Sequence, residues 1–258
     1  MSETKNGVQV AAIRQFCKRL HMPTIAAQCA PVAEQALKEK QNHLSYLEAL
    51  LEAEVEERDR NVVTRRIKDA HFPKVKTLDE FDFETASHLP APLLRRLGEG
   101  EYIDRTEPVI FLGETGTGKT HLATALAVAA CQQRKRVRFT TAAELVNDLV
   151  EAQQQSELSR IVNRWARYDL VVVDEFAYVA MPDKAAELLF QVIAGRAERA
   201  AVIVTTNLPF SEWTTMLPNA RLCKAIVDRL TDRAHIIETG NESYRFRRTL
   251  QSRQKKTR

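Results

Sequence analysis

The sequence predicts an α/β fold: a parallel sheet covered by crossover helices, preceded by a small all-helical segment. Three observations carry this expectation. A glycine-rich loop joins a short apolar run to an alanine-rich helix, and further continuous apolar runs then alternate with segments of helical periodicity. Ahead of both lies a long stretch without glycine or interior proline.

That stretch, "PVAEQALKEKQNHLSYLEALLEAEVEERDRNVVTRRIKDAHFP" from Pro31, carries Leu37, Leu44, Leu47, Leu51 and Val55 at helical spacing. Two or three helices packed together are expected over residues 8–70, within a helical domain spanning 1–70, and the leucine stripe reads as core or helix–helix contact. Next, "HFPKVKTLDEFDFETASHLPAPLLRRLGEGEYIDRTEP", with four prolines and mixed charge, reads as a linker. It leans on the following module through Phe81 and Phe83, so the boundary is expected near residues 70–80, with linker and module start over 71–105. The core module spans 106–240. Within it "PVIFLG" (Pro108 to Gly113) reads as a buried strand and "KTHLATALAVAACQQ" as a buried helix. "RVRFTT" is a second strand. The helices "AAELVNDLVEAQ" and "SELSRIVNRWARYD" follow, burying Leu145, Leu149, Leu158, Ile161 and Trp165. "LVVVDEF" (Leu170 to Phe176) and "AAVIVTTNLPF" (Ala200 to Phe210) are continuous apolar strands, the pattern of a sheet covered on both faces. Residues 241–258 form a basic tail.

Composition bounds the function classes. At 258 residues and 44% hydrophobic the chain can bury a sizeable core. It holds no 18-residue apolar run for a membrane span, and its first residues lack the pattern of a signal peptide, so a cytoplasmic protein without a membrane partner is expected. Cys17, Cys29, Cys131 and Cys223 lie far apart and read as buried thiols. The net charge of +4 is unevenly placed. Residues 58–76 carry 7 Lys/Arg against 2 Asp/Glu and residues 241–258 carry 7 against 1, whereas 1–57 (6 against 8) and 77–240 (18 against 23) are net acidic. Such clusters fit nucleic-acid phosphates, and fit a solvated linker and tail about equally well. The DNA-contacting candidates are Arg58, Arg60, Arg65, Arg66 and Lys68.

"GETGTGKT" fits G-x-x-x-x-G-K-[ST], in which glycines let successive backbone N–H groups curl around phosphate oxygens at a helix N-terminus. The cradle is assigned to Gly113, Thr115, Gly116, Thr117, Gly118, Lys119, Thr120 and His121. Lys119 would reach the β- and γ-phosphates. Thr120 would bind Mg²⁺ together with Asp174, and Glu175 would act on the attacking water as general base or by orienting it. Both carboxylates are expected at the strand end, where the crevice of an open α/β sheet lies. Asn207, at the end of the fourth strand, would reach the γ-phosphate or the water.

Together, "GETGTGKTHLATAL", "VVVDEFAYV", "VIVTTNLPFSEW" and "DRLTDRAHIIETGNESYRFR" resemble the IstB-type ATPases. These are transposition helper proteins of insertion sequences, grouped with DnaC-like helicase loaders in the AAA+ superfamily. The resemblance covers nearly the whole chain. It implies an AAA+ P-loop NTPase core, with a parallel five-stranded sheet in an αβα sandwich and a C-terminal lid absent or minimal. It also implies ATP and Mg²⁺ as cofactors, and ATP at the subunit boundaries of a helical or ring-like homo-oligomer. An arginine from the next subunit would complete each site: Arg229 in "IVDRLTDR", with Arg233 in reserve. The implied partners are double-stranded DNA and the transposase encoded by the same element, in whose capture of target DNA the protein would assist. A DnaC-type replicative helicase loader is one alternative, and a nucleotide-gated DNA scaffold without hydrolysis is another. Arg245 or Arg247 in the tail would be a second nucleotide sensor, or the tail would contact DNA.

Overall fold

The structure is a computed structural model and describes residues 2–176, 182–196, 199–217, 219–241 and 244. The basic tail, with Arg245 and Arg247, lies otherwise outside the described residues. The chain divides into two compact units, Met1–Thr64 and Arg65–Arg258.

The first unit is built from α1 (Ser2–Leu20), α2 (Pro23–Lys38) and the greater part of α3 (His43–Asp69). Its small core holds Cys17, Ile25, Cys29 and Leu50, flanked by Val10, Met22, Ala26, Val32 and Tyr46. Pro23 opens α2, where a missing N–H costs nothing, while Pro31 lies inside it. No side chain of the N-cap residue Met22 serves the first turn of α2. Glu54 of α3 does so instead, its Oε2 accepting from the N–H groups of Thr24 at 2.9 Å and Ile25 at 3.1 Å. Burial would raise the Glu54 carboxyl, but those N–H bonds and the Arg58 guanidinium overcome that and hold it below the usual glutamate range.

This capping sets the rotational phase of α3, and the expected leucine core is not the one found. Tyr46, Leu50 and Glu54, spaced by four, face inward. The expected stripe faces solvent, with Leu37 79% and Leu44 77% exposed and Leu47, Leu51 and Val55 also exposed. Rotating α3 to bury Leu44, Leu47, Leu51 and Val55 would withdraw Glu54 from the orphan N–H groups of α2, while Leu37 belongs to α2 itself.

In the second unit the end of α3 feeds Ile67, Ala70 and Phe72 into the sheet's core, and the Ala70 carbonyl accepts from the Phe139 N–H at 2.8 Å. The proline-rich stretch holds two helices, α4 (Ala91–Gly98) and α5 (Glu101–Asp104). Pro90 and Pro92 fall at the start of α4, where a fixed φ promotes the helix rather than breaking it. The sheet module follows: β1 (Val109–Leu112), α6 (Lys119–Gln132), β2 (Val137–Thr141), α7 (Ala142–Gln154), α8 (Leu158–Trp165), β3 (Leu170–Phe176) and α9 (Asp183–Arg196). It ends with β4 (Ala201–Thr206), a 3₁₀ turn (Phe210–Glu212), α10 (Trp213–Met216), α11 (Ala220–Thr231) and β5 (His235–Glu238).

The five strands are ordered β2-β3-β4-β1-β5 and every pair is parallel. Alternation within the strands builds two cores. Ile110, Val171, Val173, Val202 and Val204 join Leu145, Leu149, Leu189 and Ile226 on one face. Val109, Phe111, Leu170, Val172 and Ile203 join Leu122, Leu126 and Leu94 on the other. The result is the αβα sandwich expected of crossover connections. All four cysteines are buried free thiols, and burial pushes that of Cys131 up to about 12. No described helix is long and apolar enough to cross a membrane.

Arg196, at the end of α9 and only 4% exposed, ties three segments together. Its guanidinium donates to the carbonyls of Trp165 at 2.6 Å, Tyr168 at 2.9 Å and Ala201 at 3.2 Å. Burial lowers its pKa to about 10, against the pull of Asp169, so it stays cationic at neutral pH. Arg196→Met would strip those carbonyls of a buried donor, and the unfolding free energy is expected to fall by about 2–4 kcal/mol. Urea denaturation followed by tryptophan emission measures this in the second unit, because the two tryptophans, Trp165 and Trp213, are both buried there.

Candidate nucleotide site

The loop between β1 and α6 emerges at the carboxyl end of β1, and β4 separates β1 from β3. The phosphate motif, the carboxylates of β3 and the Thr-Thr-Asn end of β4 therefore meet at one edge of the sheet. The loop's anchorage explains its glycines. Gly113 has φ 152°, and a Cβ there would come within 2.4 Å of Thr239 Oγ1 and 2.8 Å of the Gly240 carbonyl. Gly118 has φ 99°, and a Cβ there would meet the Phe81 ring at 2.8 Å.

Further bonds hold the curl. The Gly113 N–H donates to the Thr206 carbonyl at 3.2 Å, the Glu114 N–H to the Gly240 carbonyl at 3.1 Å and the Tyr244 N–H to the Gly116 carbonyl at 3.1 Å. Thr117 Oγ1 lies 2.6 Å from Thr239 Oγ1 and 2.8 Å from the Glu114 carbonyl. Thr115 is exposed on the rim. Lys119 reaches back over the loop, its Nζ donating to the carbonyls of Gly113 at 2.7 Å and Glu114 at 2.8 Å. No side chain caps α6, so the first-turn N–H groups and the positive end of the helix dipole face the curl.

His121, in the first turn of α6, packs against the segment that walls the loop. Its Nε2 lies 3.0 Å from the Thr77 carbonyl and its ring packs edge-on against Phe81, with centroids 5.1 Å apart. Burial lowers its pKa, which leaves the imidazole neutral at pH 7 and suited to that apolar contact. It thus clamps the segment around Phe81 onto α6.

Thr120 and Asp174 lie together, the Thr120 hydroxyl facing the two carboxylate oxygens at 3.0 and 3.1 Å. Asp174 is only 5% exposed, and Thr205 of β4 also donates its hydroxyl to Oδ1. Neighbouring Glu175 is exposed and has φ 56°, a left-handed conformation costly for a non-glycine residue. Both carboxylates belong to β3 itself rather than following it. A break in register makes this possible: Val173 pairs with Val204 and Phe176 with Thr206. Asn207 directly follows β4 and is half-buried. A hydroxyl, a carboxylate and a glycine cradle fit Mg²⁺ bound with a nucleotide, since that ion takes one or two protein ligands and completes its shell with phosphates and water. No cluster of three or more His, Cys, Asp or Glu side chains among the described residues offers an all-protein metal cage.

The profile of the family described as IstB-like ATP binding protein matches residues 15–252. The chain belongs to this family. A protein of Geobacillus stearothermophilus named as the ATP-binding protein of insertion sequence IS5376 is 35% identical over 91% of this chain and 94% of its own. Another, named for insertion sequence IS21 of Pseudomonas aeruginosa, is 34% identical over 89% and 86%. Among solved structures, AMPPCP-bound DnaA of Aquifex aeolicus superposes with a TM-score of 0.55 at 18% identity, covering 65% of this chain and 51% of that one. The chain thus spans about half of that DnaA, and the likeness is one of fold: a parallel sheet between layers of helices, with the phosphate loop after its first strand.

The remaining residues singled out in this IstB-like chain lie elsewhere. Arg229, in the last turn of α11, is exposed and lines a cleft of about 150 Å³ with Arg196, Asp228, Asp232, Arg233, Thr106 and Pro108. Pro108 and Ala200 precede β1 and β4, so this cleft opens at the amino end of the strands, opposite the phosphate loop. The basic candidates lie along α3. Arg58 binds Glu54 at 2.9 Å and the His21 carbonyl, and Arg60 pairs with Glu57 at 2.8 Å. Arg66 donates to the Arg134 carbonyl at 3.2 Å, and Arg65 and Lys68 are exposed. Sequence reasoning missed Phe81 as a wall of the loop, Thr239 as its inner brace and Thr205 beside the carboxylates. A threonine two residues before Asn207 was the only local signal for the last.

Proposed function

We propose that the protein is an ATPase that oligomerises on duplex DNA and assists a transposase in capturing target DNA for an insertion sequence. The observation that carries the chemistry is the grouping beneath the phosphate loop of Thr120 and Asp174 with Glu175 turned outward. The names of the relatives, which tie ATP binding to insertion sequences, support the biological setting.

In this reading the loop backbone and Lys119 bind the phosphates, and Thr120 with Asp174 hold Mg²⁺, which when bound neutralises charge on the phosphate oxygens. Glu175 accepts the proton of the attacking water and Asn207 orients it. Arg229 acts on the site of the next subunit. Its place at the opposite end of the strands from its own loop supports this, because a head-to-tail neighbour is what brings the two ends together. ATP then joins subunits, and hydrolysis loosens them. Arg60, Arg65 and Lys68 carry most of the phosphate contact with DNA, since Arg58 already serves the capping of α2. A helicase loader with the same ATPase core would differ in preferring single strands.

The test is binding of the full chain to a labelled random-sequence duplex and its single strand, with ATP, ADP or no nucleotide. Co-operative duplex binding that needs ATP and is lost in Lys119→Ala is expected. Three phosphate contacts per subunit give a salt slope of about −2.7, so a fourfold rise in salt should weaken binding about 40-fold. Single-strand preference, or binding indifferent to nucleotide, would overturn this reading.

A further inference from the structure

We infer that Thr205 is a positioning residue that sets Asp174 and Glu175 relative to one another, a role that rests on the ATPase reading above. Pairing of β3 with β4 stops at Val173–Val204 and resumes at Phe176–Thr206, so both carboxylate residues lie opposite the single residue Thr205. This is a β-bulge, a device that re-aims side chains next to active sites. Regular alternation would send Asp174 and Glu175 to opposite faces of the sheet; the bulge instead keeps Asp174 buried near the carboxyl end of β3 and leaves Glu175 exposed beside it.

One buried hydroxyl holds the bulge. Thr205, 1% exposed, donates to Asp174 Oδ1 and accepts the Glu175 N–H at 3.0 Å. It is therefore bonded both to the carboxylate that faces Thr120 and to the backbone of the strained glutamate. Strain of this kind persists only where neighbours over-determine it, and here the neighbour is identified. Valine has the shape of threonine but neither donates nor accepts, so Thr205→Val removes both bonds while keeping the packing. Serine keeps both bonds.

The experiment compares wild type, Thr205→Val and Thr205→Ser as full-length protein, with a ribose-labelled fluorescent ATP as probe. Without Mg²⁺, the valine variant should bind the probe within about threefold of wild type, because the phosphate loop is intact. The Mg²⁺ concentration that half-saturates the Mg²⁺-dependent signal should rise about tenfold, the usual effect of losing an outer partner of a metal-binding carboxylate. Turnover should fall about 10- to 100-fold in kcat with KM for ATP within about threefold, and serine should restore both readouts. Thr205→Cys, which keeps a weak donor and acceptor, should fall between serine and valine and serves if the valine variant does not fold. The inference is overturned if valine and cysteine match wild type in Mg²⁺ requirement and kcat, if serine loses as much as valine, or if metal-free probe binding collapses along with turnover. A wild type that binds the probe but never turns over ATP would instead overturn the ATPase reading. The Mg²⁺ shift would then still decide the role of Thr205.

Discussion

Glu175→Gln is expected to slow ATP turnover about 10²- to 10⁴-fold, the contribution of a positioned general base, while leaving ATP affinity within about threefold. The separation follows from the geometry. Glu175 projects from the bulge of β3, whereas the cradle is built from backbone between β1 and α6, so the carboxylate can lose its charge without disturbing the loop. Glutamine keeps length and shape and can follow the left-handed backbone that the Thr205 hydroxyl holds at 3.0 Å. Phosphate release measured with saturating duplex DNA, beside equilibrium binding of ATP, checks both halves. Equal turnover in the two proteins would remove the ATPase mechanism, and loss of ATP affinity would make Glu175 a binding residue.

Arg229→Ala should cost about 10³-fold or more in turnover if the arginine completes a neighbour's site. A mixing experiment separates that role from a local one. Arg229→Ala retains its own phosphate loop and Glu175, and Glu175→Gln retains its own Arg229 and its ATP affinity, so equal amounts of these two inactive proteins co-assemble to give a good pairing at about one boundary in four. Recovery of about a quarter of wild-type turnover is expected under the same head-to-tail assembly. A mixture as inactive as its components would place Arg229 with the ion pairs of its own cleft, where Asp228 and Asp232 are neighbours.

The chemistry-bearing loop was legible because its signal is local. Eight residues fix the glycines, the lysine and the threonine, and the apolar strand and alanine-rich helix beside them are continuous runs that need no partner to be recognised. The strands ending in the carboxylates and in Thr-Thr-Asn were read the same way, and "RVRFTT" from its place in the alternation of strand and helix. The fifth, His235–Glu238, buries only Ile237 because it lies at the sheet edge, so its pattern carried no run to detect and only the family resemblance implied it. The leucine stripe misled for the opposite reason. Helical periodicity shows that a face exists, but Glu54 capping α2 decided which face of α3 turned inward.

By itself, then, the sequence determined the order of elements, the phosphate loop with Lys119 and Thr120, the pair of carboxylates on β3, and the family. These depend on spacing along the chain, and spacing is what a sequence contains. Tertiary structure decided that β4 lies between β1 and β3, that Thr205 holds Asp174 and Glu175 at a bulge, that Thr239 and Phe81 wall the loop, and that Arg229 lies at the far end of the strands. Each joins residues remote in sequence or depends on the register between two strands. A buried hydroxyl takes its role from the carboxylate and amide packed against it, and no residue beside it in the chain records that choice.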